Sequence, residues 1–399
     1  MRQIVRVPTD TPPGNNAPAA ERCAELLTAL GLTVEKIPVP TSLLRQVGMQ
    51  SVTNLIVRQR FSDDGPTIAL NAHGDVVPPG EGWQHDPYGG TVVNGRMFAR
   101  GVAVSKSDIA SYTYALLCLK ALHAAGTPLR GAVELHFTYD EEFGGLAGPA
   151  FLLEGGHTKP DFAIAAGFAY NIVTAHNGCL QFEVTVHGQA AHGAMPETGV
   201  DALRATNSIV NAIYEDVERL RTIRCGYAGI KHPNMIVGQI EGGTNTNVVP
   251  GRVTFKMDRR MIPEEDPVAV EAQVRALIES SAARFPGIRV EMRRLLLARA
   301  LKPIAGHEKL VAALQGHAQA VFGEAIPATG VPLYTDARLY GEHGIPIVLY
   351  GAGPRTVLEA NAKRADENLL LEDLRRATIV VAAAVADLLN DETPDGVRA

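Results

Sequence analysis

"TIALNAHGDVVPP", residues 67–79, decides how this chain is read. The apolar run Thr67-Ile68-Ala69-Leu70 climbs into His73-Gly74-Asp75 and stops at Pro78-Pro79. A run of that length, bounded by turn residues, predicts a buried strand with an imidazole and a carboxylate at its end. Two other segments end in the same manner. "AVELHFTY" (132–139) runs into Asp140-Glu141-Glu142, and "IPIVLY" (345–350) runs into Gly351-Ala352-Gly353-Pro354. Between such strands lie helical patterns. Residues 18–30 place Ala19, Cys23, Leu26, Leu27 and Leu30 on one face with Gly31 as the stop, and 106–125 end at Gly126. Strands alternating with helices predict an α/β fold, a mostly parallel sheet flanked by helices. Ligands in such sheets bind outside the carboxyl ends of the strands, where these polar residues stand.

The middle of the chain has a different period. "CLQFEVTVHG" (179–188), "NMIVGQIEGG" (234–243), "GRVTFKMDRRM" (251–261) and "IRVEMRRLLL" (288–297) alternate apolar with polar residues, and helical patterns cover about 200–221 and 267–284. Strand–helix–strand–strand–helix–strand is the ferredoxin-like split arrangement, and alternation marks strands with one solvated or partner-facing side. The expected organisation is a catalytic domain over 1–178 and 295–399, interrupted by a smaller α+β domain over 179–294.

Composition excludes several classes. The 399 residues are 46% hydrophobic and 20% charged, with a formal charge of −6 and no basic stripe. Nucleic acid and anionic membrane are therefore poor partners, and no apolar run is long enough to span a bilayer. Cys23, Cys118, Cys179 and Cys225 are widely separated, which suits a reducing compartment and neither a zinc knot nor a disulfide framework. The first residues lack the apolar core of a signal peptide, so the expected location is the cytoplasm.

The triplet Asp140-Glu141-Glu142 carries the chemistry. Adjacent carboxylates after a buried strand repel one another unless something favours them: one can ligate a cation while its neighbour acts as general base on a water. His192, in the Gly/Ala-rich "GQAAHGAMPETG" (188–199), and Asn247 and Arg260 are unremarkable in isolation.

Taken together, the ordered set "AHGDVVP", Trp83-x-x-Asp86-Pro87, "DEEFGG", "AAHGAMPETG" and "NVVP" resembles the co-catalytic zinc metallopeptidase family of aminoacylase, acetylornithine deacetylase, succinyl-diaminopimelate desuccinylase and carboxypeptidase G. The likeness runs from "VPTDTPPG" to "RADENLLLEDL". It implies a catalytic α/β domain with an inserted lid that forms a homodimer. His192 then corresponds to a histidine that reaches a partner subunit's site as oxyanion donor. Asn247 and Arg260 correspond to substrate-binding residues of the lid, and the Gly351-Ala352-Gly353 loop to a holder of the substrate carboxylate. His73 matches the first metal ligand with Asp75 orienting its ring, Glu141 the general base, and Glu142 the ligand beside it.

The remaining ligands of that pattern are missing. The bridging aspartate should precede Lys106, and Val104 stands there; the further acid should follow "DFAIAA", where Gly167 stands; the late histidine position holds Lys363. Two divalent ions about 3.5 Å apart repel by about 20 kcal/mol at an effective dielectric of 20, and a bridging carboxylate is what makes the pair tolerable. Asp108 lies near enough in sequence to substitute, but Ser105-x-x-Asp108 reads as a capping box. His136 and His176 are spare imidazoles that read as packed strand residues. Lys363 puts an ammonium where the second ion's histidine would be, beside Glu142.

The expected function is hydrolysis of an amide C–N bond in a small carboxylate-bearing substrate, such as an N-acyl amino acid or dipeptide. Glu141 is the base, His192 and Lys363 assist, and zinc or another divalent ion is present once or not at all. Two alternatives stay open: a metal-independent lyase, isomerase or cyclase run by Glu141 and Lys363, and a non-catalytic ligand-binding relic.

Overall fold

The computed structural model describes residues 1–390 and divides into two compact units, Met1–Thr174 with Pro303–Thr329 and Thr335 onward, and Ala175–Lys302 with Gly330–Tyr334. The observed insert thus differs at both ends from the expected 179–294. Its last strand runs on to Ala298, a bridge between His176 and Leu301 closes it, and the distant segment Gly330–Tyr334 joins it. Alternation marks where a strand pattern holds, and it cannot register such later backbone pairing.

In the first unit the large sheet runs Val34–Pro38, Thr53–Arg60, Ala132–Thr138, Thr67–His73, Phe162–Ala165, Ile347–Leu349, Ile172–His176, Ala328–Val331. It is parallel through its middle, where Thr67–His73 lies between Ala132–Thr138 and Phe162–Ala165, and Ile347–Leu349 continues the parallel run. Antiparallel pairs border that centre. Every residue of Ala132–Thr138 is buried, as expected of a strand covered on both faces. The helices Lys106–Ala124, His307–Phe322 and Leu371–Asn390 supply Ile109, Leu116, Leu310, Leu314, Val381 and Val385 to the core around Ile68, Leu70, Leu135 and Phe137. Among the described residues no helix is long and apolar enough to cross a membrane.

The second unit is a four-stranded antiparallel sheet in the order Asn234–Gly242, Arg252–Met261, Gly178–His187, Arg289–Ala298. Period-two alternation sends Leu180, Phe182, Val184 and Val186, with Val253, Phe255 and Met257, to one side. There they meet Ile209 and Ile213 of Ala202–Leu220 and Val274 and Ile278 of Pro267–Ala282. Both helices open on an aspartate whose side chain accepts backbone N–H bonds, Asp201 from Leu203 and Arg204 and Asp266 from Ala269. On the other side stand Gln181, Glu183 and Thr185 of one central strand and Thr254, Lys256 and Asp258 of its neighbour.

Candidate active site

The parallel order brings the ends of two neighbouring strands together. His73 closes Thr67–His73, and its register partner is Thr138, two residues before the acidic triplet. Gly74 packs so closely on Tyr139 that an added Cβ would lie 2.3 Å from the ring. Asp75 then performs two tasks at once. Its Oδ1 lies 3.3 Å from His73 Nδ1, while its two carboxylate oxygens accept the backbone N–H groups of Glu141 at 3.2 Å and Glu142 at 3.0 Å. One buried carboxylate therefore fixes both the imidazole and the acidic turn.

Glu141 is buried, with Oε2 4.0 Å from His73 Nε2. Burial raises its pKa, against the pull of His73. Burial also opposes a charge on His73, yet Asp75, Glu141 and Asp336 outweigh it and hold the imidazole above its ordinary value. Asp140 is buried and accepts the Ala147 N–H at 2.6 Å. Beside Glu141, Glu142 Oε2 receives the Lys363 ammonium at 2.7 Å. Partial desolvation works against that ammonium, but the Glu142 and Glu141 carboxylates raise its pKa.

Lys363 sits in the left-handed backbone region at φ 61. Glu367, buried against Arg100 at 2.5 Å, accepts the N–H groups of Lys363 at 3.3 Å and of Ala103 at 3.0 Å. The same carboxylate thus anchors the segments carrying Lys363 and Val104.

The capping box is not formed. Ser105 makes no side-chain cap; its hydroxyl instead donates to the His73 carbonyl at 2.9 Å and accepts the His73 N–H at 2.8 Å. Asp108 turns across the core, where Oδ1 accepts the Ala352 N–H at 2.6 Å. A strand end needing a partner, and a loop needing an acceptor, outweigh a local cap. Gly353 N–H bonds the Gly167 carbonyl at 2.8 Å. Two of the three N–H groups of the Gly351-Ala352-Gly353 loop are therefore engaged within the protein. His136 packs between Glu134 at 2.9 Å and the Tyr340 hydroxyl at 2.8 Å, and His176 is buried with Nδ1 against the Asn177 carbonyl at 2.8 Å.

In the second unit, His192 and Asn247 are brought to one edge. Ala191–His192 pairs with Val248–Val249, and the Gly193 N–H bonds the Asn247 carbonyl at 2.7 Å. Both side chains are exposed. Arg260 is a strand residue whose Nε donates to Asp258 at 2.6 Å.

Sequence reasoning missed Asp336, Glu367 and Asp258. Asp336 is buried, has one carboxylate oxygen without a hydrogen-bond partner, and has its pKa raised to about 6 by burial, with His73 opposing. No period or spacing marks it, since it precedes only the short helix Arg338–Glu342.

The pattern of peptidase family M20/M25/M40 matches residues 69–387, which span both the His73 strand end and the Lys363 segment. The chain belongs to that family. The M20 assignment agrees with full-length relatives. It is 26% identical over 398 residues to succinyl-diaminopimelate desuccinylase of Rhodospirillum centenum, covering 95% of this chain and 94% of that protein. It is 28% identical over 386 residues to acetylornithine deacetylase of Myxococcus xanthus, covering 93% and 92%. Solved M20 folds are also similar. The metallo-carboxypeptidase Sso-CP2 of Sulfolobus solfataricus superposes with a TM-score of 0.79 at 18% identity, covering 98% of both chains. The Bacillus subtilis YXEP protein, a dinuclear metal binding peptidase, gives 0.64 at 19%, covering 98% and 96%. As an M20 member this chain is a hydrolase of amide C–N bonds.

M20 enzymes usually hold zinc or another divalent ion, and the residues here do not fit a two-ion centre. Val104, 36% exposed, offers no donor at the position matching the bridging aspartate. Gly167 has no room for an acid on this backbone, because an added Cβ would lie 2.7 Å from Leu349 C and Tyr350 N. Lys363 binds Glu142 as a cation. Among the described residues no three His, Cys, Asp or Glu side chains are grouped to hold an ion.

Proposed function

We propose that this M20 protein hydrolyses the amide bond of a small carboxylate-bearing substrate, such as an N-acyl amino acid or dipeptide, with Glu141 as general base and at most one divalent ion. The observation that carries the reading is Glu141 itself. It is buried beside His73 on a turn that Asp75 pins through two backbone N–H bonds. Glu141 takes a proton from water as the water oxygen attacks the amide carbonyl carbon. It returns that proton to the amine nitrogen as the C–N bond breaks, leaving a carboxylate and an amine. The oxyanion formed in between is stabilised by His192 of a second copy, with the Lys363 ammonium adding positive charge beside Glu142. His73 and Glu142 are the two ligand types left for one ion, and zinc normally takes three protein ligands and a water. Arg260 and Asn247 recognise the substrate carboxylate, with Gly351 and Gly353 as the lesser contributors because their loop is internally bonded.

The test is a panel of N-acyl amino acids and dipeptides assayed by mass spectrometry, before and after chelation. Cleavage of at least one member of the panel is the expected result, and its survival or loss on chelation tells whether the one ion takes part. Absence of cleavage throughout the panel would turn attention to the second reading, a metal-independent lyase, isomerase or cyclase, which the Lys363–Glu142 contact at 2.7 Å favours. A ligand-binding relic has no need of the pinned base.

The role of His192 requires a homodimer formed through the second unit. Its outer strand Asn234–Gly242 leaves Ile236 48% and Ile240 53% exposed along an unpaired edge, the kind of surface that a second copy covers. Light scattering should give twice the chain mass; a monomer at working concentration would remove both the dimer and the His192 role. A reducing, cytoplasmic location is part of the same reading, in keeping with four free thiols.

A further inference from the structure

The polar side of the second unit's sheet carries a four-residue square that the register dictates. In the pairing of Arg252–Met261 with Gly178–His187, Arg260 lies opposite Cys179 and Asp258 opposite Gln181. Residues two apart on a strand share a face, so all four side chains point to the same side. Asp258 is the centre of the square. Its Oδ1 accepts from Arg260 Nε at 2.6 Å, and its Oδ2 accepts from Gln181 Nε2 at 2.9 Å and from Cys179 Sγ at 3.3 Å. Burial pushes the Cys179 thiol up to about 12, which keeps it a donor. The Tyr334 ring lies 5.8 Å from the Arg260 guanidinium carbon.

This geometry sorts the donors of Arg260. Nε is held by Asp258, while neither Nη nitrogen bonds a described residue. A guanidinium fixed along its Nε edge and open at both Nη nitrogens is pre-organised for a planar bidentate anion, such as a carboxylate. An ordinary surface pair on one strand would leave the aspartate solvated; here three donors converge on it.

We propose that Asp258 is the positioning residue of Arg260, orienting its free Nη pair toward the carboxylate of the substrate. The inference rests on the reading of Arg260 given above and adds how that side chain is aimed. Asp258 touches no substrate itself. It acts by removing the guanidinium's rotational freedom before binding.

p-Hydroxyphenylglyoxal modifies a guanidinium through its Nη nitrogens, so peptide mass spectrometry can follow Arg260 without any turnover assay. N-acetylglycine is the probe and N-acetylglycinamide, which lacks the carboxylate, the control. In the wild type N-acetylglycine should slow modification of Arg260 and the amide should not. Asp258→Asn keeps the shape and removes the charge, and should raise the concentration giving half-protection about tenfold, the loss of one charge-assisted contact. Should that variant melt early, Gln181→Leu removes one of the two donors on Asp258 Oδ2 and should give a smaller rise in the same direction. Protection by N-acetylglycine that is unchanged in both variants overturns the positioning role and leaves the reading of Arg260 intact. No protection in the wild type overturns both.

Discussion

Replacing Glu141 by glutamine should lower turnover by about two to four decades, the usual worth of a positioned general base. The expectation is specific to basicity because backbone bonds to other side chains hold the turn. Asp75 holds the backbone N–H groups of Glu141 and Glu142, and Asp140 anchors the following segment through Ala147. Glutamine therefore keeps the volume and the backbone while losing the proton acceptor. Steady-state rates on the best substrate of the amide panel, with melting curves as the control for folding, are the measurement. A Glu141→Gln variant of near-normal rate would remove Glu141 from the mechanism.

The double substitution Val104→Asp with Lys363→His should add about one equivalent of retained zinc. The second change puts an imidazole in place of the ammonium on Glu142, and the first puts a carboxylate beside Ala103, whose N–H shares the Glu367 anchor with that of Lys363; with Glu142 they offer the three protein ligands that zinc ordinarily takes. They also remove an ammonium. A unit charge about 4 Å from a divalent ion opposes it by about 8 kcal/mol at an effective dielectric of 20, so the lysine is a strong barrier to an ion. Gly167 stays outside the repair, since a Cβ there would meet the backbone of Leu349 and Tyr350 at 2.7 Å. Elemental analysis after dialysis decides it. A double variant that holds no more zinc than the wild type would show that the lost ligands are not what limits the site.

Much of this was legible in the residues, for a reason that differs between parts of the chain. Strand ends that deliver polar residues are local patterns, so the two segments that Asp75 joins, His73 and the Glu141–Glu142 turn, are each legible in seven or eight residues. The second unit was found because its period changes from continuous apolar runs to alternation. Lys363 beside Glu142 followed from the motif order, and their Nζ–Oε2 distance is 2.7 Å. What escaped are contacts between positions far apart in the chain. Asp108 bonds Ala352, 244 residues away, and Glu367 bonds Ala103, 264 residues away. A capping box is a local inference, and it failed at Ser105 because that hydroxyl meets the His73 backbone across the fold. Asp258 is one polar residue of an alternating strand, and only the register with Gln181 and Cys179 reveals how many donors it gathers.

We propose that Lys363, paired with Glu142, takes the place of the second ion in this M20 pocket. Zinc-edge anomalous scattering from wild-type crystals equilibrated with excess zinc, combined with elemental analysis of the same protein, addresses it directly. The expected result is no more than one ion, bound through His73 and its neighbours, with the Lys363 ammonium still on Glu142. Two well-occupied ions sharing a ligand, with Lys363 displaced from Glu142, would contradict it.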